Sequence, residues 1–432
     1  MTLGNICECV LGGTPSTENP MFWGGTIPWM ASGDVHLRRI HDVPGRITET
    51  GLRCSNATLI NPPAVAVGLA GQGKTRGTVA LILCSLSTNQ SIALLRANGS
   101  DLRTDYLFHN LDRRYEELRA RSSGGGRGGL SKAILEAVPI DLPPINEQQR
   151  ISNILDTLDT AIRETEALID KLKAVKQGLL HDLLTRGIDA NGQLRPPQSE
   201  APQLYKASPL GWIPREWEVV KLGAVLSELG QGWSPDCPSE PAGVGEWGVL
   251  KTTSVVWEGY NEEENKQLPV PFKPRPDLEV KSDDILITRA GPKSRVGVVV
   301  HVPSTRPQLM ISDKIYRLRL LSSEVPAYFA LALSAGYMQS AISRTVSGMA
   351  ESQTNISQGV IKGLAILRPI REEQHAIVAH AQAFDERLRA EALILSKLQA
   401  QKNGLMDDLL TGRVRVTPML ESVQRTAEPT EA

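Results

Sequence analysis

One hydrophobic register, written twice along the chain, limits the fold more than any other feature. In the first stretch one seam reads Ile151, Leu158, Thr165, Leu172, Leu179 and the other Leu155, Ile162, Ile169, Lys176, Leu183. This is the alternating four-and-three spacing of a coiled-coil face. In the second stretch the seams are Ile377, Phe384, Glu391, Leu398, Leu405 and Ala381, Leu388, Leu395, Lys402, Leu409. All ten positions correspond at a shift of 226, the step from Ile151 to Ile377, and the polar interruptions coincide. A period this long is that of duplicated domains, not of a solenoid.

Each stretch opens behind proline, at Pro143-Pro144-Ile145-Asn146-Glu147-Gln148 and at Pro369-Ile370-Arg371-Glu372-Glu373-Gln374, a good place to start a helix. These openings align at a shift of 225, the step from Ile145 to Ile370, which implies one inserted residue. Each stretch makes a helix roughly 58 Å long. A single apolar seam of that length needs a partner, and the other helix is the expected one. The first leaves one globular segment and arrives at the next, and the second leaves that next segment. The pair is therefore expected to be antiparallel, with the globular segments at opposite ends about an approximate twofold axis.

The expected fold class is α+β: two sheet-containing domains joined by two long antiparallel coiled-coil helices. The expected divisions are a first domain at 1–144, a central long helix at 145–186, a linker at 187–204 and a second domain at 205–369. A distal long helix at 370–412 and a disordered tail at 413–432 follow. The two globular segments align in blocks. Ile27–Val35 faces Trp247–Val255, and Val65–Gly71 faces Ile285–Gly291, each of the latter running into a second short strand. Tyr106-Leu107-Phe108 and Tyr328-Phe329-Ala330 begin short helices. Short β-type runs between Gly, Pro and Asn turns mark sheet-rich domains.

Of the 432 residues, 41% are hydrophobic and 22% charged, as in ordinary water-soluble domains. No run reaches the ~20 apolar residues of a membrane span. Met1–Val10 carries no basic-then-apolar leader pattern, and the five scattered cysteines suit a reducing compartment. The expected location is the cytoplasm. The net charge of −1 does not advertise nucleic-acid binding, so any such surface must come from local clusters. Lys74 and Arg76 lie in the turn between paired strands of the first segment, and Lys293 and Arg295 in the matching turn of the second, just after Arg289. Arg113, Arg114 and Arg127 cluster around a glycine-rich loop. Gln72, Lys251 and Thr252 are of the types that read base edges, and the cations are of the type that holds phosphates.

Three motifs look chemical. Gly68–Thr75 matches a phosphate-binding loop in letters, but such a loop must open a helix, and Thr78–Leu83 reads as a strand. Asn61-Pro62-Pro63-Ala64 resembles the adenine-methyltransferase motif, with alanine in place of the aromatic that stacks on a flipped base. Pro276–Lys281 holds the letters of a nuclease site too tightly spaced to share one metal. Cys7 and Cys9 lack a second ligand pair. No catalytic residue, cofactor or metal is expected.

The ordered set of blocks resembles the specificity subunit of type I restriction–modification systems, over nearly the whole chain. The two helix openings carry it, together with the closings Gly178-Leu179-Leu180-His181-Asp182-Leu183-Leu184-Thr185 and Gly404–Thr411. Ile213-Pro214-Arg215-Glu216-Trp217 leading into Leu222-Gly223, and Gly12-Gly13-Thr14-Pro15-Ser16 followed by Ile27-Pro28-Trp29, add to it. The first copy departs from the pattern, starting directly at Leu3-Gly4. The resemblance implies a non-catalytic subunit whose two target recognition domains each read half of a split double-stranded DNA site. It implies helices that set the spacer and dock modification subunits, expected to number two, with ATP-driven restriction subunits in the full complex. The alternatives are a specificity-like subunit of another phage-defence system and a two-domain protein-binding scaffold.

Overall fold

The structure, a computed structural model, describes residues 1–71, 73–121, 129–345 and 354–416. The expected tail at 413–432 lies outside them from residue 417 onward. The chain divides into two compact units, Met1–Leu168 with Glu391–Ala432, and Ile169–Ala390. The two long helices, Ile145–Thr185 and Arg371–Leu409, therefore each contribute one part to each unit. Among the described residues no helix is long and apolar enough to cross a membrane.

The first unit is built on a five-stranded sheet in the order Cys7–Leu11, Ile92–Ala97, Ala64–Gly68, Val79–Ile82, Arg39–Ile40. The central pairs are antiparallel, while Arg39–Ile40 runs parallel to Val79–Ile82. Ala64–Gly68 and Val79–Ile82 are buried throughout, and this is why their sequence is unbroken apolar rather than alternating. Val65, Val67, Ala93 and Leu95 face a core containing Tyr106, Leu107 and Phe108 of the helix Thr104–Arg113. Ala64, Ala66, Ala80 and Ile82 face the opposite core around Met30, Val35 and Leu86.

The second unit repeats this plan with four strands, Leu226–Gln231, Ile315–Leu320, Ile285–Thr288 and Val299–His301. Ile285 and Ile287 face one core with Tyr328 and Phe329, and Leu286 faces another with Val249, Val255 and Met310. The equivalence reaches single hydrogen bonds. Gly77 N–H donates to Gly68 O and Gly297 N–H to Thr288 O, at 2.9 and 2.8 Å. Tyr106 Oη donates to Asp141 O and Tyr328 Oη to Leu367 O, both at 3.0 Å.

The long helices are tied to their domains by a buried Glu-Gln pair at each head. Gln148 accepts from Arg103 N–H at 2.9 Å and donates to Pro143 O at 2.9 Å. Gln374 accepts from Val325 N–H at 2.9 Å and donates to Pro369 O at 3.0 Å. Gln148 and Gln374 are thus the equivalent residues, and they stand 226 apart like the seams. The expected one-residue insertion is corrected: helix heads and seams share one register.

Within each unit the helix segments run antiparallel. In the first, Asp159 pairs with Lys402 at 2.7 Å and Glu147 with Arg415 at 2.6 Å, one number falling as the other rises. In the second, Lys176 pairs with Asp385, and Glu373 with Arg195 from beyond the helix end. None of the twenty seam positions is exposed. Ile151, Leu155, Leu405 and Leu409 join the first unit's core; Leu179, Leu183 and Ile377 join the second's. Leu158, Ile162, Phe384, Leu388, Leu395 and Leu398 are half-buried, and Ile169 and Leu172 buried.

Residues 187–204 are not a free-running linker. Gly187 has φ +66, and a Cβ there would lie 2.2 Å from Glu373 Oε1 and 2.4 Å from the Trp217 ring, so only glycine fits. Glu373 in turn accepts from Ile188 N–H at 2.8 Å and from Trp217 Nε1 at 2.9 Å.

Candidate nucleic-acid interface

The sheet of each domain ends in a turn that carries exposed cations. After Ala64–Gly68 the chain passes through Lys74 and returns at Gly77 into strand Val79–Ile82. No helix follows, so the Gly68–Thr75 letters do not form a phosphate-binding loop of the helix-opening kind. The turn is braced from beneath. Tyr115 Oη donates to Lys74 O at 3.2 Å and Arg119 Nη1 to Gly73 O at 2.6 Å. The Lys74 residue is exposed, and its ammonium makes no hydrogen bond or ion pair with a described residue. The turn leans on the short helical segment Ser32–Leu37, His36 Nε2 lying 3.2 Å from Thr75 Oγ1.

In the second domain the corresponding turn, with Lys293 exposed, leans on Thr252–Ser254 through Arg295 Nη2, which donates to Thr252 O at 3.3 Å. Lys251 faces Glu264 at 3.9 Å, and Thr253 Oγ1 donates to the same carboxylate. Arg289 donates to Asp313 O at 2.8 Å and Asn355 Oδ1 at 2.9 Å and lies 5.3 Å from the Tyr316 ring centre. Lys251, Thr252, Arg289, Lys293 and Arg295 are therefore brought to one edge of the domain.

The first domain's candidates are less unified. Lys74 and Arg76 share the turn. Arg113 is drawn to Asp407 of the second long helix at 2.9 Å, and Arg114 is held by Glu117 and Pro139 O. Both guanidinium groups are engaged in holding the fold. Gln72 and Arg127 lie outside the described residues.

Two polar pairs at these edges escaped the sequence reading. Thr14 Oγ1 donates to Gln90 Oε1, and Ser234 Oγ donates to Asp313 Oδ1. The signal was present: Gly12-Gly13-Thr14-Pro15 and Gly232-Trp233-Ser234-Pro235 share a glycine, a hydroxyl and a proline at the same spacing. The glycine is required, because a Cβ on Gly12 or Gly232 would lie 2.2 or 2.0 Å from a facing backbone carbonyl.

A second cluster lies beneath the first domain's edge. Arg38 donates to both oxygens of Asp112, at 2.8 and 2.6 Å. Lys402 lies 3.4 Å from Asp112 and 2.7 Å from Asp159. Arg39 pairs with Asp156, which also lies 2.6 Å from Nε2 of the buried His109. Burial raises the Asp112 and Asp156 carboxyls. The hydrogen bonds and charges of Arg38 and Lys402, and of His109 and Arg39, outweigh it and leave both below the usual carboxylate range. His109, Asp156 and Asp159 bring ligand-type atoms within 4.8 Å of one another, but Arg39 and Lys402 already neutralise the carboxylates. This is the chemistry of an ion-pair tie between domain and helices rather than of a metal centre. Burial also raises the Cys7 and Cys9 thiols to about 12 and about 11, keeping them protonated near neutral pH.

Comparison with known proteins gives a consistent picture. The family model "Type I restriction modification DNA specificity domain" matches residues 1–174. The specificity subunit of the type I restriction enzyme EcoEI from Escherichia coli is 38% identical over 257 residues, covering 54% of this chain and 43% of that subunit. The match thus spans less than half that relative's length. The MjaVIII specificity subunit of Methanocaldococcus jannaschii is 27% identical over 72% of this chain and 70% of its own. The crystal structure of a type I restriction–modification S subunit from M. genitalium superposes with TM-score 0.56 at 15% identity, covering 95% of both chains.

Proposed function

We propose that this chain, which belongs to the type I restriction modification DNA specificity family, is the non-catalytic subunit that tells a modification and restriction complex where on DNA to act. Each domain reads one half of a bipartite double-stranded site. The paired helices set the gap between the halves and dock modification subunits, two in number; restriction subunits join the full complex. The observation that carries this reading is the duplication of one geometry around diverged contents. Strand order, helix-head hydrogen bonds and seam register repeat, while the side chains on the turn edges differ. That is the pattern of two readers built for two different sequences.

Phosphate contacts fit Lys74 and Lys293, the exposed turn cations, and base-edge contacts fit Thr252, Arg289 and Arg295. Arg113 and Arg114 fit a structural role instead. Sequencing methylated bases in cells with and without this gene and its modification subunits tests the reading. A bipartite methylated motif that appears only with the gene is the expected result. Unchanged methylation would contradict it.

A further inference from the structure

We infer that Leu37 and Trp257 are the apolar base-contacting residues of the two domains, packing against base edges in the DNA groove each domain enters. This inference rests on the DNA-reading role proposed above.

The two residues correspond in register, at the same step that sets Ile27–Val35 against Trp247–Val255, Leu37 closing a helical segment and Trp257 lying in a strand-to-strand turn. Each follows a fully buried valine by two places, Val35 and Val255, both 0% exposed. Each valine stands at a short helical turn, Val35 within Ser32–Leu37 and Val255 directly after Thr252–Ser254, and the turns open with matching backbone bonds, Asp34 N–H to Ala31 O and Ser254 N–H to Lys251 O, both 3.0 Å. The side chain two places on is turned out to solvent in both copies, Leu37 at 56% and Trp257 at 55% exposure. Inside diverged domains, folding has no reason to leave a large apolar side chain at the same outward place twice. A lone exposed hydrophobe is ordinary; a matched pair is not.

Both tips are fixed rather than loose. Arg38, next to Leu37, holds the left-handed φ of +62, and its guanidinium is clamped bidentately by Asp112. Trp257 sits in the two-residue turn between strands Val255–Val256 and Gly259–Tyr260. Gly259 takes φ +137 there, and Tyr260 Oη bonds Thr305 Oγ1 at 2.8 Å. A rigid apolar tip loses little freedom on contact, as a recognition residue should.

The surroundings point to DNA as the occupant. His36, beside Leu37, touches the turn that carries Lys74, and Arg295 ties the Lys293 turn to the segment leading to Trp257. Each tip therefore adjoins exposed cations of the kind that hold phosphates. Apolar side chains in a groove discriminate bases by contact with the thymine methyl group, and the neighbouring Glu258 is an acceptor of the kind that suits the cytosine amino group. The tips differ in residue type, Leu against Trp, as readers of different half-sites would.

The test uses the full chain assembled with its modification subunits. Methylation motifs are sequenced for wild type, Leu37→Ala and Trp257→Ala, and affinity is measured on site duplexes in which single thymines are replaced by deoxyuridine. Leu37→Ala should relax base preference at one or more positions of one half-site by about tenfold, and Trp257→Ala should do the same in the other half only. The conservative Leu37→Met and Trp257→Phe should retain most of the preference. Unchanged preference in both halves overturns the inference while leaving the DNA-reading role intact. So does a loss that tracks failure to assemble by size-exclusion chromatography, which would make these tips contacts for a protein subunit. A wild-type complex that produces no bipartite motif overturns the role and the inference together.

Discussion

Glu373 is a nearly fully buried carboxylate, and its two oxygens serve the Arg195 guanidinium, the Trp217 indole and the Ile188 amide. Removing it leaves the buried Arg195 with only the exposed Glu216 as an acid partner and orphans the Ile188 and Trp217 N–H groups, so Glu373→Ala should destabilise the second unit by about 3–5 kcal/mol, read as a drop in the urea midpoint. Glu147 is as deeply buried, but its partner Arg415 is 59% exposed and stays hydrated when the acid is lost. Glu147→Ala should therefore have a smaller effect, about 1–3 kcal/mol. The sequence marks both helix heads but misplaces them by one residue. Glu147-Gln148-Gln149 and Glu372-Glu373-Gln374 repeat letters, so two alignments score alike, and only the hydrogen bonds of Gln148 and Gln374 decide between them. Asp112 and Asp156 supply a pH prediction. Their folded carboxyls lie below the ordinary value. Their stabilisation is complete above the unfolded value of about 3.9 and is lost as pH falls through the folded one. Thermal melts of wild type against Asp112→Asn should differ most near neutrality, and the difference should shrink on acidification below pH ~4. A difference that grows with acid would contradict the assignment.

The two long helices were legible because a four-and-three apolar spacing can only be one face of a coiled helix. The partners of their polar interruptions were not, since spacing along one helix says nothing of which acid stands opposite. Lys402 proves to lie between Asp112 and Asp159, with its side chain 11% exposed, whereas Lys176 faces Asp385 at a wetter place, 24% and 34% exposed. The same substitution should therefore behave differently in the two seams. Lys402→Leu strands the part-buried Asp159, Asp112 keeping Arg38, and should cost about 2–4 kcal/mol. Lys176→Leu leaves one hydrated acid and gains seam packing, for a change under about 1 kcal/mol. Equal effects in chemical denaturation would show that the lysines do not act through these partners. The central strands were legible too, as apolar runs buried on both faces. Two-residue strands such as Arg39–Ile40 and Arg46–Ile47 were not, because pairing across the sheet rather than local sequence makes them strands. The candidate interface was legible only in outline: the cations of the turns could be named, but not that Arg113 and Arg114 are drawn into ion pairs.

A chain with net charge −1 has little long-range attraction for DNA, so affinity must come from few local contacts. The logarithmic salt dependence of binding should accordingly be shallow, and Lys74→Ala and Lys293→Ala should each reduce its slope by about one. If the paired helices fix the gap between half-sites, removing one heptad from each, residues 164–170 and 391–397, keeps the seams in phase and shortens the pair by about 10 Å. That is close to three base pairs at ~3.4 Å each. Sequencing the methylated motif of cells carrying this double deletion is the most direct measurement. The same two half-site sequences are expected, with a spacer shorter by about three base pairs. An unchanged spacer, or altered half-site sequences, would contradict a gap fixed by the helices.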